Sequence, residues 1–293
     1  MFNSIPMIQN SITATSEAMS ILASDAQAFQ TDGHKQLKYA FTPIYNSMIH
    51  GGGGQYNTYG VGSNTTMAQG VTLIPMGYDM SQGGIKSAGP LNAAIDGSGF
   101  FVLEEQSGSQ QYALTRASNF IFSADGTLTD VFGRKVKGYP IVNGVADKSR
   151  MVPIQLDPNQ YNLADVGFED NGVLTTNYQA RLAASKSNEE LLQEGSATFQ
   201  LAIATVPNPS QMRSVQGNAF VTTLNSGNVS HYGVSNDATG GRVIGGSSES
   251  SNVNPAETTI KGIQLQRGYN AVQAALTMAN RFITQIMEVV SKA

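Results

Sequence analysis

Asn254-Pro255-Ala256-Glu257-Thr258-Thr259-Ile260-Lys261-Gly262-Ile263-Gln264-Leu265-Gln266-Arg267-Gly268-Tyr269 opens the stretch that decides how this chain is organised. Asn as cap, Pro at the first helical position and Glu two residues later are a helix start. From there Leu265, Tyr269, Val272, Leu276, Ala279, Ile283, Ile286 and Val290 follow in steps alternating four and three. That is a heptad seam. Phe282 and Val289 widen it, and no stop signal follows.

The opposite end repeats the pattern. Apolar or small residues recur at Ile5, Ile8, Ile12, Thr15, Met19, Leu22, Ala26 and Phe29. Ser4 can cap this helix, Pro6 is tolerated in its first turn, and Gly33 is a plausible stop. A lone amphipathic helix cannot bury its stripe, so the two ends are natural partners. Two readings stay open: two core helices of a globular domain, or a terminal coiled-coil module, which we prefer. The low charge outside the seams suggests that further helix faces are also covered.

Between residues 36 and 253 helix periodicity fades. Asp96-Gly97, Asp125-Gly126, Asn143-Gly144 and Asn171-Gly172 mark turns. Between them lie strand-like runs: Phe100-Phe101-Val102-Leu103, Tyr112-Ala113-Leu114-Thr115, Asn119-Phe120-Ile121-Phe122 and Thr198 to Ala204. The expected fold is α+β, with N- and C-terminal helices paired as a coiled coil around a mainly antiparallel β middle domain. The expected boundaries are 1–35 and 254–293 for the helical module and 36–80 for an extended connection or β-hairpin region. A β-rich body follows at 81–225, then a Gly- and Ser-rich return connection at 226–253.

Composition limits what such a chain can do. Charged residues make up 13% of its 293 residues, against about 25% in ordinary domains. Hydrophobic residues at 40% suffice for a core. The net charge of −4 argues against nucleic-acid binding. With no Cys, disulfides, Cys-bound metals and thiol nucleophiles are excluded. No Lys or Arg precedes Lys35, so no basic leader of a cleaved signal is expected. No apolar run approaches the roughly 18 residues of a membrane helix.

The search for reactive chemistry is negative. His34, His50 and His231 fit no zinc spacing. Gly51-Gly52-Gly53-Gly54 lacks the Lys-Ser/Thr of a phosphate loop. Asp96-Gly97-Ser98-Gly99 has the start of a calcium loop without its other ligands, so a tight turn is expected there. No Gly-x-Ser-x-Gly elbow occurs. No catalytic residue, cofactor, metal or small-molecule substrate is assigned.

Three segments together carry a resemblance. The first is Gln82-Gly83, Gly89, then Leu91 through Asp96-Gly97-Ser98-Gly99-Phe100-Phe101-Val102. The second is Tyr112, Thr115-Arg116-Ala117-Ser118-Asn119-Phe120, Asp125-Gly126-Thr127-Leu128, then Gly133 and Val136-Lys137-Gly138-Tyr139. The third is Glu249, Ser251-Asn252-Val253-Asn254, Ala256-Glu257, Ile263, Gln266-Arg267 and Tyr269. In this order, between two heptad ends, they resemble the flagellar hook and basal-body rod protein family. The N-terminal Asn-rich motif of that family is reduced here to Thr31, Gly33 and Lys35; Ser118 and Gly268 stand where Gly and Ala are common.

The resemblance implies a structural subunit, not an enzyme, exported without a cleaved signal by the flagellar type III apparatus. It implies terminal helices forming the inner layer of a helical tube, a β outer layer, and torque transmitted along the polymer. Implied partners are further copies of the chain, neighbouring rod and hook proteins, the rod or hook cap and the export apparatus, with outer ring proteins as a further candidate. Chain length and the long stretch between Lys38 and Gly70 resemble the distal rod protein. Lys137-Gly138-Tyr139-Pro140 and Gly167 to Leu174 are hook-like. We prefer the rod over the hook. A secreted β-rich enzyme or carbohydrate-binding protein is the reading from another class; it predicts a monomer with a ligand-lined cleft.

Overall fold

The computed structural model describes residues 4–47, 66–104, 112–179, 197–235 and 240–291. The chain divides into two units: unit 1 is Met1–Gln27, Leu37–Met76 and Asn254–Ala293, and unit 2 is Ala28–Gln36 and Gly77–Val253.

Unit 1 holds two helices, α1 (Ser4–Gln27) and α2 (Pro255–Ser291). Asn254 caps α2: its Oδ1 accepts from the backbone N–H of Ala256 at 3.0 Å and of Glu257 at 3.4 Å. The helices pack together. A Cβ placed on Gly262 of α2 would lie 3.3 Å from Leu22 Cδ2. Strand Leu37–Ser47, which also packs on α1, pairs with strand Thr66–Tyr78 in a two-stranded ribbon. The α2 helix has 37 residues and α1 has 24, a difference of 13. At ~1.5 Å per residue α1 leaves nearly 20 Å of α2 unmatched, whichever way the two run.

Unit 2 is built on a β-sheet whose main path runs Val166–Phe168, Val173–Thr176, Ala197–Leu201, Lys135–Val142, Phe100–Glu104, Tyr112–Thr115, Ala219–Val221, Arg213–Val215. Each of these neighbours is antiparallel. Side chains alternate across a strand, so Phe100–Glu104 serves two cores. Phe101 and Leu103 join one with Ile95, Phe168, Leu174, Leu201 and Ile203. Phe100 and Val102 join the other with Leu114, Tyr139, Met212 and Phe220. Covering on both faces explains why this strand reads as an unbroken apolar run. The Asn143-Gly144 turn is a two-residue hairpin: Val142 faces Val145, and both turn residues have positive φ, 52° and 80°.

Three expectations differ from the structure. Helix α1 ends at Gln27, and a short 3-10 turn, Ala28–Gln30, takes Phe29 out of the helix. Residues 28–36 cluster with the β body rather than with the helices, whereas most of the ribbon clusters with the helices. Residues 226–253 are more than a connection: within them His231–Gly233, Arg242–Gly245 and Ser247–Glu249 are strands paired antiparallel to Ile203–Thr205, Ala93–Asp96 and Ile85–Ser87. Their glycines are needed for close approach, since a Cβ on Gly245 would lie 2.2 Å from Phe168 O. The Gly51–Gly54 run and His50 lie outside the described residues.

Candidate functional site

Unit 2 contains a closed ion cluster assembled from widely separated parts of the chain. Glu249, at the end of strand Ser247–Glu249, is fully buried; Lys35 is 1% exposed and Arg116 5%. Lys35 Nζ donates to Glu249 Oε1 at 2.5 Å and to Ser81 O at 2.8 Å. Arg116 Nη1 donates to Glu249 Oε2 at 3.0 Å and to Ile95 O at 3.1 Å, and Nη2 donates to Gly97 O at 2.6 Å. The N–H of Gly83 reaches Glu249 Oε1 at 2.9 Å, and the N–H of Gly33 reaches the backbone O of Glu249 at 2.8 Å. The Arg116 guanidinium also lies over the Phe100 ring, 5.3 Å from its centroid.

One carboxylate here faces two cations, and the carbonyls of Ser81, Ile95 and Gly97 take up the excess positive charge. Burial pushes the Lys35 ammonium and the Arg116 guanidinium below their ordinary values, and Glu249 pulls both back up. Such a group is costly to break, because removing one partner strands a buried charge. Both Glu249 oxygens are taken by donors from the chain and the group is shut from solvent. Its chemistry is to hold segments together.

Local backbone explains two glycines around it. Gly33 sits at φ +69°, and a Cβ there would lie 2.3 Å from the backbone N of Ala117. Gly99, in the turn before Phe100, sits at φ +130°, with Ile203 Cγ2 2.4 Å from any added Cβ. Gln82 braces the same turn: its Oε1 accepts from Gly97 N–H at 3.0 Å and its Nε2 donates to Asp96 Oδ1 at 3.3 Å.

Asn252 forms the adjoining layer. Its Oδ1 accepts from Gln36 N–H at 2.9 Å, its Nδ2 donates to Asp79 O at 2.7 Å, and its own N–H reaches His34 O at 3.3 Å. The N–H of Asp79 donates to Gln36 O at 2.8 Å. Val253 beside it is buried. Thr115 Oγ1 donates to Asn218 O at 3.0 Å and accepts from Ala117 N–H at 3.0 Å. Asn119 Oδ1 accepts from Asn92 Nδ2 at 3.2 Å. Phe120 packs edge-on against Phe101 and Phe168, at 5.6 and 6.2 Å between centroids. Gln266 and Arg267 lie exposed on α2 and take no part in the cluster.

The seam residues sit as follows. On α2, Leu265, Tyr269, Val272, Leu276, Ala279 and Ile283 are half-buried, while Ile286 is exposed. On α1, Ile8, Ile12 and Met19 are half-buried and Leu22 is buried. The buried α1 positions are Ala14, Thr15, Ala18, Leu22 and Asp25, while Ala26 is exposed. The buried stripe is thus turned slightly toward small residues. Phe29 is 40% exposed. The side chains of Ile5 and Val290 lie outside the described set.

The Lys35–Glu249 pairing is what the sequence does not display. Both residues stand in stretches that carry the resemblance, but they are 214 positions apart and no periodicity links them. The available signal was chemical: charges placed inside motifs of a charge-poor chain. Beside the cluster lies a cavity of about 260 Å³ lined in part by Asp32, Thr115, Asn119, Asp130, Phe132 and Asn218. Its two carboxylates are already paired, Asp32 with Lys86 and Asp130 with Arg134. Among the described residues no group of three or more His, Asp or Glu is placed to hold a metal, and no helix is long and apolar enough to cross a membrane.

Comparison with known proteins gives this geometry a context. Residues 94–176 match the flagellar hook protein FlgE/F/G D1 domain, and residues 244–287 match the flagellar basal body rod FlgEFG protein C-terminal family. The chain is 23% identical over 270 residues to the flagellar basal-body rod protein FlgG of Buchnera aphidicola subsp. Baizongia pistaciae, covering 92% of each. It is 26% identical to the FlgG of Agrobacterium fabrum over 277 residues, covering 94% of this chain and 92% of that one. It is 30% identical over 136 residues to the flagellar hook protein FlgE of Rhizobium meliloti, covering 46% of this chain. The chain thus spans about nine-tenths of these rod relatives, but the match takes in 30% of the hook relative's length. Glu249, Arg116 and the Gly97–Gly99 turn, which meet in the cluster or brace it, all fall inside the two matched segments. Both matches in chain order, with rod and hook proteins among the similar chains, support a place for this chain in the flagellar hook and basal-body rod protein family.

Proposed function

We propose that this chain is a structural subunit of the flagellar axis that polymerises into the tubular basal-body rod and transmits torque from motor to filament. The observation that carries this reading is similarity to rod proteins along nearly the whole of both chains. The unfinished surface of α2 supports it. Ile260, Ile263, Met278, Phe282, Ile286 and Val289 are each 47–70% exposed on one helix. In this reading Leu265, Tyr269, Val272, Leu276, Ala279 and Ile283 face α1 as a coiled-coil seam, with Ile8, Ile12, Met19 and Leu22 opposite. The other α2 face meets neighbouring copies. A heterologous contact of that kind does not close on itself and so builds a filament.

The same reading makes the chain a non-enzyme, exported through the type III apparatus without a cleaved signal. Its site is the basal body, and its neighbours are other axial proteins, the rod cap and the outer rings. The hook is the second reading, favoured by the 30% identity to a hook protein over 136 residues. Electron microscopy of the concentrated protein separates the two. Straight tubes are expected for the rod; curved tubes would overturn the rod in favour of the hook. A chain that stays monomeric at every concentration would overturn both.

A further inference from the structure

The chain crosses between the two units four times, after Gln27, after Gln36, before Gly77 and after Val253. The last three of these exits are tied together inside unit 2. Asn252 bonds to Gln36 and to Asp79, and Asp79 bonds to Gln36 in turn. Immediately behind this layer lies the ion cluster, whose members flank the same exits: Lys35 precedes Gln36, Ser81 and Gly83 follow Asp79, and Glu249 precedes Asn252. Arg116 joins the cluster to the body, since it holds the carbonyls of Ile95 and Gly97 and stacks on Phe100.

We infer that Glu249, with Lys35 and Arg116, is a clamp that fixes these three of the four exits as one rigid base on the β body. The charges suit this task. A buried carboxylate accepting from two cations and an N–H gives way only by exposing at least one unpaired charge, so the joint resists partial opening. Hydrogen bonds of the Asn252 layer alone would open one at a time. Arg116 delivers any pull on an exit to the turn before Phe100, in the centre of the sheet. In an axial subunit, the reading proposed above, this base is where torque enters the β body.

The test is hydrogen exchange on the full, unassembled chain, in wild type, Lys35→Met and Glu249→Gln. Lys35→Met keeps the volume and leaves Glu249 paired with Arg116, so it reads the clamp even if Glu249→Gln does not fold. In Lys35→Met, the amides of Gly33, Gln36, Asp79 and Gly83 should exchange about ten-fold faster or more, while those of Phe100–Glu104 keep wild-type rates. Glu249→Gln should accelerate the same four amides further. Adding Lys35→Met to it should then reduce the damage, because one stranded cation is gone. Unchanged rates at the four amides would overturn the clamp. So would equal acceleration throughout the strands, which would make the cluster an ordinary core element. The readout needs no polymer. A chain that shows this pattern yet never assembles keeps the clamp and loses the axial reading, and the converse result does the opposite.

Discussion

On strand Phe100–Glu104 of unit 2, Phe101, Val102 and Leu103 are fully buried and Phe100 is 4% exposed. On α2 of unit 1, Phe282, Ile286 and Met287 are 57%, 47% and 67% exposed. The residue types are alike and their treatment is opposite. Strand Phe100–Glu104, in the middle of the β body, finds covering partners on both faces from within the chain. Helix α1 packs against α2 and against strand Leu37–Ser47, and Leu265, Tyr269, Val272, Leu276 and Ile283 of α2 stay half-buried. Small exposed apolar residues are common on any surface, but a row of large ones on one long helix marks a surface awaiting a partner. The low charge of the chain then has a physical sense. Charges on those helix faces would have to be stripped of water when copies pack.

Matched changes in both units should have opposite consequences. The largest effect is expected for Phe101→Ala, which should cost the β body about 3–5 kcal/mol by cavity formation, read as its denaturant midpoint. Its counterpart, Phe282→Ala, should change the stability of the unassembled chain by less than ~0.5 kcal/mol. It should nevertheless raise the concentration needed for assembly. Equal destabilisation by the two would mean that α2 is already covered. Glu249→Gln should cost a similar ~3–5 kcal/mol, because two buried cations lose their partner. A cost within experimental error there would mean that the cluster is solvated. Asn254→Ala should cost ~1 kcal/mol, confined to the start of α2, since Ala256 and Glu257 N–H lose their cap. Circular dichroism should show the loss in helix signal with the β transition unmoved.

The smallest effect concerns pH. Burial holds the Lys35 ammonium below its ordinary 10.5. The folded chain therefore binds fewer protons than the unfolded one in the window just under that value. This group's contribution to stability must rise with pH there. Wild-type stability measured relative to Lys35→Met should climb as pH approaches 10.5. A falling difference would mean that the ion pair with Glu249 outweighs burial.

Sequence reading reaches different depths in the two units. Strand runs such as Phe100-Phe101-Val102-Leu103 and turns such as Asn143-Gly144 are local, and backbone sterics dictate them directly. That the C-terminal stretch is a helix with a half-buried stripe is also legible, because Leu265, Tyr269, Val272 and Leu276 are large and regularly spaced. On α1 the pattern is blurred. The buried positions include Ala14, Ala18 and Asp25, which a search for large apolar residues passes over. Residues 226–253 mislead for a related reason. Gly and Ser serve there as thin strands against a crowded neighbour, and composition alone cannot tell a thin strand from a loose connection. The Lys35–Glu249–Arg116 cluster is long-range chemistry. Its members are visible as motif residues, but their meeting requires the fold.

In the axial reading, the open apolar face of α2 is completed by other copies of the chain. The most direct test is sedimentation with electron microscopy of wild type beside the double variant Phe282→Asp/Ile286→Asp, across a range of concentrations. Wild type should pellet as straight tubes above a threshold concentration. The double variant should stay in the supernatant as a monomer whose β body melts as in wild type. Tubes formed equally well by the variant, or a wild type that never leaves the supernatant, would contradict it.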